Sequence, residues 1–294
     1  MEELALAALP VNDGAHIAFG RIRNGMSRLR ISAISYLNTA PLMWDFEDGE
    51  SGADFDISYT IPSACARALG AGAADIGIIP AAAYTTIPDL AIVPDVAIAA
   101  RHAVRSILLI SKVPIDQVAT VALDTSSMTS AALTRILFAK WLGGPRSYFD
   151  MAPNLGEMLA SCDAALLIGD PALQLDRTRY VTLDLAEKWR ACTGKSFVFA
   201  FWAIRTQSIA GHDRQAIRQA FQSSRDHGLQ SENLEAIAQD WSQKLHLSVE
   251  FVRTYLVRNI HYYLDPPCLD GLALFYRYSA EIGALPPAPE LRFL

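Results

Sequence analysis

The amino-acid sequence predicts an α/β protein of two lobes around a cleft, with its last third helical. Three observations carry this. Short β-type runs alternate with helical stretches over the first two-thirds of the chain. Strand signals cease after about residue 212. Two apolar runs, 106–111 and 197–204, fall where the chain would pass from one lobe to the other and back. The expected layout is residues 28–107 and 203–294 in lobe 1 and 108–202 in lobe 2. A cleft between lobes is a preferred place for a small-molecule site.

Strands are expected at 29–35 (LRISAIS), 55–60 (FDISYT), 75–79 (DIGII), 106–111 (SILLIS), 119–124 (ATVALD), 164–168 (AALLI) and 197–204 (FVFAFWAI). Helices are expected at 40–47, 62–72, 128–141 and 154–160. In 128–141, Leu133, Ile136, Leu137 and Trp141 recur at helical spacing, and Gly143, Gly144 and Pro145 end the run. Residues 213–228, 231–246 and 248–264 each carry a helical apolar period. Ser231 and Ser248 are candidate caps, without a full capping box because Leu234 and Phe251 stand where Glu or Gln is needed. Pro286, Pro287 and Pro289 mark a C-terminal tail.

Composition narrows the function. With 51% hydrophobic and 19% charged residues among 294, the chain can bury a large core. A net charge of −6 and the lack of a Lys/Arg cluster argue against nucleic acid as a partner. No apolar run reaches the roughly 18 residues of a membrane span. Glu2 and Glu3 follow Met1, unlike the basic start of a signal peptide, so a cytoplasmic location is expected. Residues 1–27 read as a poorly ordered extension. Cys65, Cys162, Cys192 and Cys268 lie 97, 30 and 76 residues apart, which supports buried thiols and no metal.

The chemistry-bearing residues gather where strands end. Ser35, Tyr36, Asn38 and Thr39 follow the first strand, and Thr125, Ser126, Ser127, Thr129 and Ser130 follow the fifth. A helix starting there offers unpaired N–H groups to an anion, although plain N-capping explains the same residues. "LLIGDPAL" (166–173) repeats the pattern, with Gly169 allowing close approach and Asp170 before Pro171. Three polar exits point to a cleft for a small anionic molecule. Arg101 and Arg105 flank a strand start and either pair with a carboxylate or lie on the surface. His102 and His261 are read as solvent-facing or structural. Walker A, H-E-x-x-H, G-x-S-x-G and G-x-G-x-x-G motifs are missing.

"SYLNTAPL", "VRSILLISKVP", "VALDTSSMTSAALTRIL", "AALLIGDPAL" and "DLAEKWRACTGKSFVFAFW" together resemble, in order and spacing, the chorismate dehydratases of the futalosine route to menaquinone. The resemblance covers about residues 28–280. It implies a two-lobed type II periplasmic-binding-protein-like fold in a cytoplasmic enzyme. The implied reaction removes water from chorismate to give 3-[(1-carboxyvinyl)oxy]benzoate, with the enolpyruvyl carboxylate of the substrate as base and no metal or organic cofactor.

By motif position, the resemblance makes Asn38 and Ser106 catalytic. Asn38 would orient the enolpyruvyl carboxylate or hydroxyl, and Ser106 would help fix the substrate. Thr129 and Ser130, with the helix N-terminus behind them, would hold a carboxylate; Ser126 and Ser127 are further candidates. Ser35, Tyr36, Thr39, Arg105, Gly169 and Asp170 complete the expected substrate-binding set, Asp170 either facing the cleft or capping its own turn. Two departures stand out: "PAAAY" (80–84) replaces a Ser-rich "SSxEY", and "ARHA" (100–103) replaces a Ser/Gly-rich loop. The alternatives are the 1,4-dihydroxy-6-naphthoate synthase of the same route and a solute-binding protein without chemistry.

Overall fold

The computed structural model describes residues 28–47, 49 and 55–294. The expected extension at 1–27 lies outside them. Among the described residues, ten strands form two five-stranded sheets. The first contains β1 (Leu29–Ile34), β2 (Phe55–Thr60), β3 (Ile76–Pro80), β4 (Leu90–Ala100) and β10 (Phe197–Arg205), in the order β2-β1-β3-β10-β4. The second contains β5 (Ile107–Ser111), β6 (Thr120–Asp124), β7 (Ser147–Met151), β8 (Ala164–Ile168) and β9 (Val181–Asp184), in the order β7-β6-β8-β5-β9.

The two sheets share one plan. In each, four strands run in one direction and the remaining one lies antiparallel between two of them. β10 pairs antiparallel with β3 and β4, and β5 pairs antiparallel with β8 and β9. All nine residues of β10 belong to the first sheet. The run 197–202, which the sequence layout assigns to lobe 2, is thus continuous with 203–205 in one strand of the first sheet, because one unbroken apolar run forms one strand.

Alternation of side chains divides the second sheet between two cores. Leu109, Val121, Leu123, Leu166 and Ile168 face the main core. Leu108, Ile110, Ala122, Ala165 and Leu167 face a smaller one, with Met158 and Cys162. On the main-core side α3 (Met128–Trp141) packs by Leu133, Ile136, Leu137 and Phe138, all fully buried. Its apolar face is the one the spacing indicated.

Helices α7 (Arg214–Gly228), α8 (Ser231–Leu245), α9 (Val249–Thr254) and α10 (Pro266–Glu281) follow β10. α7 packs on a 3-10 turn, Leu37–Met43, that follows β1. Gly228 permits that approach, since a Cβ there would fall 2.0 Å from the Pro41 carbonyl oxygen. Ser224 Oγ donates to Leu42 O at 2.9 Å and accepts from Asp45 N at 3.0 Å. The turn carrying Asn38 is thus anchored from behind.

Four differences from the sequence reading follow. α10 was not expected. Residues 248–264 do not form one helix, because α9 passes into a π turn at Tyr255–Asn259 and the chain is extended from Ile260. Ser248 caps α9 by accepting from Phe251 N at 3.2 Å, but Gln230, not Ser231, stands at the N-cap of α8. The C-terminal tail folds back, with Leu294 N donating to Ile92 O at 2.9 Å. Among the described residues no helix is long and apolar enough to cross a membrane.

Candidate functional site

The C-terminal ends of β1 and β3 face those of β6 and β8, the usual ligand edge of α/β sheets. Direct bonds join the two sides. Leu37 N donates to Asp170 Oδ1 at 3.1 Å, and Ser63 N donates to Ser126 O at 3.0 Å. Ala82 N donates to Thr129 Oγ1 at 3.1 Å, and Thr129 Oγ1 donates to Phe199 O at 3.1 Å. Between them lies a small cavity of about 40 Å³. Asn38, Ser127, Thr129, Ser130 and Gly169 line it with Tyr36 and an apolar wall that includes Ile34, Pro80, Ile98 and Phe199.

The turn after β1 has no side-chain cap of its own. Asp170 supplies the missing acceptor from the other lobe, so Asn38 does not cap that turn and its carboxamide borders the cavity. Asn38 Oδ1 accepts from Thr39 Oγ1 at 3.3 Å. Asp170 heads a short turn, α5 (Asp170–Leu173), where Gly169 adopts φ +68°. A Cβ on Gly169 would meet the Tyr36 ring at 2.7 Å, so glycine is required both by the backbone and by the aromatic face. Burial pushes the Asp170 carboxyl up to about 6, with the Leu37 N–H opposing the shift.

At the β6 exit, Ser127 caps α3, accepting from Ser130 N at 3.2 Å. This is the capping expected of such a segment, and it leaves distinct roles for its neighbours. Ser126 Oγ donates to Asp124 Oδ1 at 2.6 Å, which draws it away from the cavity. The Asp124 carboxyl is itself raised by burial against its bonds from Ser126 and Ile168. Thr129 uses its hydroxyl as both donor and acceptor between the lobes. Ser130 commits only its backbone, its N–H to Ser127 and its carbonyl to Thr134, so its hydroxyl is left for the cavity it lines.

Ser106 is fully buried and does not line the cavity. It accepts from the Tyr255 hydroxyl at 2.8 Å. Ser35 is exposed on a separate outer groove of about 460 Å³, which includes Trp44, Trp241 and Lys244. Tyr36 borders both spaces, and burial raises its phenol with a bond to Ser126 opposing. Arg105 turns outward, its guanidinium 4.7 Å from the centre of the Phe251 ring. Its backbone, at φ +66°, is pinned by Asp184 Oδ2, which accepts Arg105 N at 2.6 Å. Geometry therefore brings Asn38, Thr39, Tyr36, Thr129, Ser130, Gly169 and Asp170 together, joins Ser106 through Tyr255, and keeps Ser35, Ser126 and the Arg105 side chain off the cavity.

Tyr255 and the apolar wall carried no signal in the sequence. Tyr255 arrives 149 positions after Ser106, on a π turn that no periodicity announces. At "PAAAY" backbone replaces the missing hydroxyls: Ala82 N binds Thr129, and Ala81 O accepts the Tyr276 hydroxyl at 2.8 Å.

His261, Asp265 and Cys268 hold ligand-type atoms within 4.8 Å of one another. Asp265 is already bonded by Arg101 at 2.5 Å and His261 Nε2 at 2.8 Å, and it caps α10 through Cys268 N. The Cys268 thiol is pushed up to about 12, chiefly by burial. The cluster ties β4 to α10 as an ion-pair network and is a poor metal centre. His102 is exposed.

The architecture is shared with proteins of distant sequence. A protein of Archaeoglobus fulgidus superposes with a TM-score of 0.67 at 12% identity, over 88% of this chain and 98% of its own. The periplasmic aliphatic sulphonate binding protein SsuA of Escherichia coli gives 0.61 at 15% identity, over 90% and 96%. These likenesses establish the periplasmic-binding-protein-like fold. In sequence, the chain is 30% identical over 253 residues to a chorismate dehydratase of Thermus thermophilus, covering 80% of this chain and 89% of the relative. Residues 29–281 match the family model described as menaquinone biosynthesis, and the chain belongs to that family.

Proposed function

We propose that this protein is a chorismate dehydratase that forms 3-[(1-carboxyvinyl)oxy]benzoate in menaquinone biosynthesis. The observation that carries the reading is the cavity between the facing strand exits, with the Asn38 carboxamide on one side and the N-terminus of α3 with Ser130 on the other. A relative with that name aligned over most of both chains supports it.

The substrate contains most of the driving force. Its ring C3–H is acidified through the diene and the ring carboxylate, and loss of that proton with the C4 hydroxyl yields an aromatic ring. In this reading the N-terminal N–H groups of α3 and the Ser130 hydroxyl hold one carboxylate. Asn38 orients the enolpyruvyl carboxylate, which accepts the C3 proton. The C3–H electron pair becomes the new ring double bond, the C4–O bond breaks, and the departing hydroxyl takes the proton from the enolpyruvyl carboxyl and leaves as water, which restores the carboxylate. The protein's work is alignment and exclusion of solvent. The two sheets are then the cores of two lobes that part to admit substrate, with crossings at 101–106 and 194–196. The reading places the protein in the cytoplasm.

The test is to incubate the purified protein with chorismate and follow products by liquid chromatography and mass spectrometry. The benzoate product should form far above the uncatalysed background. Unchanged chorismate from a folded sample would contradict the assignment.

A further inference from the structure

The C-terminal helices bring a tyrosine hydroxyl to the neighbourhood of the site at a break in helical geometry. After α9 the chain widens into the π turn Tyr255–Asn259. Such turns shift every following side chain around the helix axis and are often found at functional sites. Here Tyr255 becomes fully buried, with its hydroxyl 2.8 Å from Ser106 Oγ and the Asn38 carboxamide close enough to act on its phenol.

Burial alone does not explain this arrangement. Tyr262, close by and equally buried, has a hydroxyl with no hydrogen-bond partner among the described residues. The Tyr255 hydroxyl is instead bonded to Ser106, which the family resemblance makes catalytic, and lies near Asn38, although it lines neither cavity.

We propose that Tyr255 is a positioning residue that sets the orientation of both Asn38 and Ser106; the inference rests on the dehydratase reading above. The physical reason is donor bookkeeping at three groups. A serine hydroxyl has one proton, so Ser106, by accepting from Tyr255, keeps its own O–H as a donor directed elsewhere. The Asn38 Oδ1 accepts from Thr39, so the amide N–H end of the carboxamide is the one left to meet the Tyr255 oxygen. One phenol thereby aligns a side chain on the β1 exit with another at the start of β5.

The test uses the full chain carrying Tyr255→Phe, Ser106→Ala, both together, and Tyr262→Phe as the matched control. Tyr255→Phe should lower kcat about tenfold to a hundredfold while KM stays within about threefold and the protein melts near the wild-type temperature. The double variant should be no slower than the slower single one, since groups acting as a unit are not additive. Tyr262→Phe should be kinetically silent. Normal kcat in Tyr255→Phe, or additive losses in the double variant, would overturn the proposal. If the wild-type protein leaves chorismate untouched, the dehydratase reading fails separately. The side-chain amide 15N resonances of Asn38, identified by their loss in Asn38→Asp, then decide the positioning role. They should move in Tyr255→Phe and not in Tyr262→Phe, and unmoved resonances would overturn it.

Discussion

The two lobes repeat one strand plan but finish their strands differently. In lobe 2 the β6 and β8 exits are rich in side-chain polar groups: Ser126, Ser127, Thr129 and Ser130 at one, Asp170 at the other. In lobe 1 the β3 exit is Ala81–Ala83, and the β1 exit enters a turn without a side-chain cap. The difference is complementary. Polar side chains of lobe 2 satisfy bare backbone of lobe 1, Asp170 at Leu37 N and Thr129 at Ala82 N. A backbone N–H left bare at a strand exit in one lobe thus becomes the handle by which the other lobe closes. On the bare side, Asn38 and Tyr36 are the polar side chains that border the cavity.

The comparison can be broken in order of expected effect. Asn38→Ala should reduce kcat by at least about a hundredfold with an unchanged circular dichroism spectrum, because a positioned polar group at the reacting centre is lost. Near-normal turnover would remove Asn38 from the mechanism. Asp170→Asn addresses the β1–β8 contact. With the folded carboxyl raised from 3.8 to about 6 by burial, its favourable contribution is full below 3.8 and is lost as pH rises through about 6. Two units correspond to about 3 kcal/mol at most, so urea unfolding between about pH 4 and 7 should show wild-type stability falling by up to that amount. The Asn variant should lack this component; parallel curves would contradict the linkage.

Thr129→Val sharpens the β3–β6 contact. It strands the Ala82 N–H and the Phe199 carbonyl in a buried place and should cost about 1–3 kcal/mol in chemical unfolding, with Thr129→Ser restoring most of it. Ser35→Ala bounds the site from outside. It sits on the outer groove and should leave kcat and KM within about twofold of wild type, as exposed substitutions usually do.

What could be read from the sequence follows sheet position. Central strands such as β3, β5 and β8 are apolar runs buried along their whole length, and they are visible as such. The three strands not foreseen, β4, β7 and β9, are all edge strands. β7 and β9 are short and half exposed, so their pattern carries little period. β4 contains Pro94, tolerated because an edge strand has a free ladder side, and Asp95 at φ +65° with a shift in pairing register. At the site, residues adjacent to a strand end were visible because exits attract polar groups. Tyr255 was not, since its place depends on tertiary packing and a π turn. Ser126 and Ser35 misled for one reason: a polar residue near a strand exit can serve a neighbour or solvent as readily as a ligand.

The most direct test of where the chemistry takes place is a crystal structure of the Asn38→Ala variant soaked with chorismate. The account expects the molecule in the inner cavity, one carboxylate at the N-terminus of α3 near Ser130 and the enolpyruvyl group towards position 38. Chorismate seated in the outer groove beside Trp44 and Trp241, with the inner cavity empty, would contradict it.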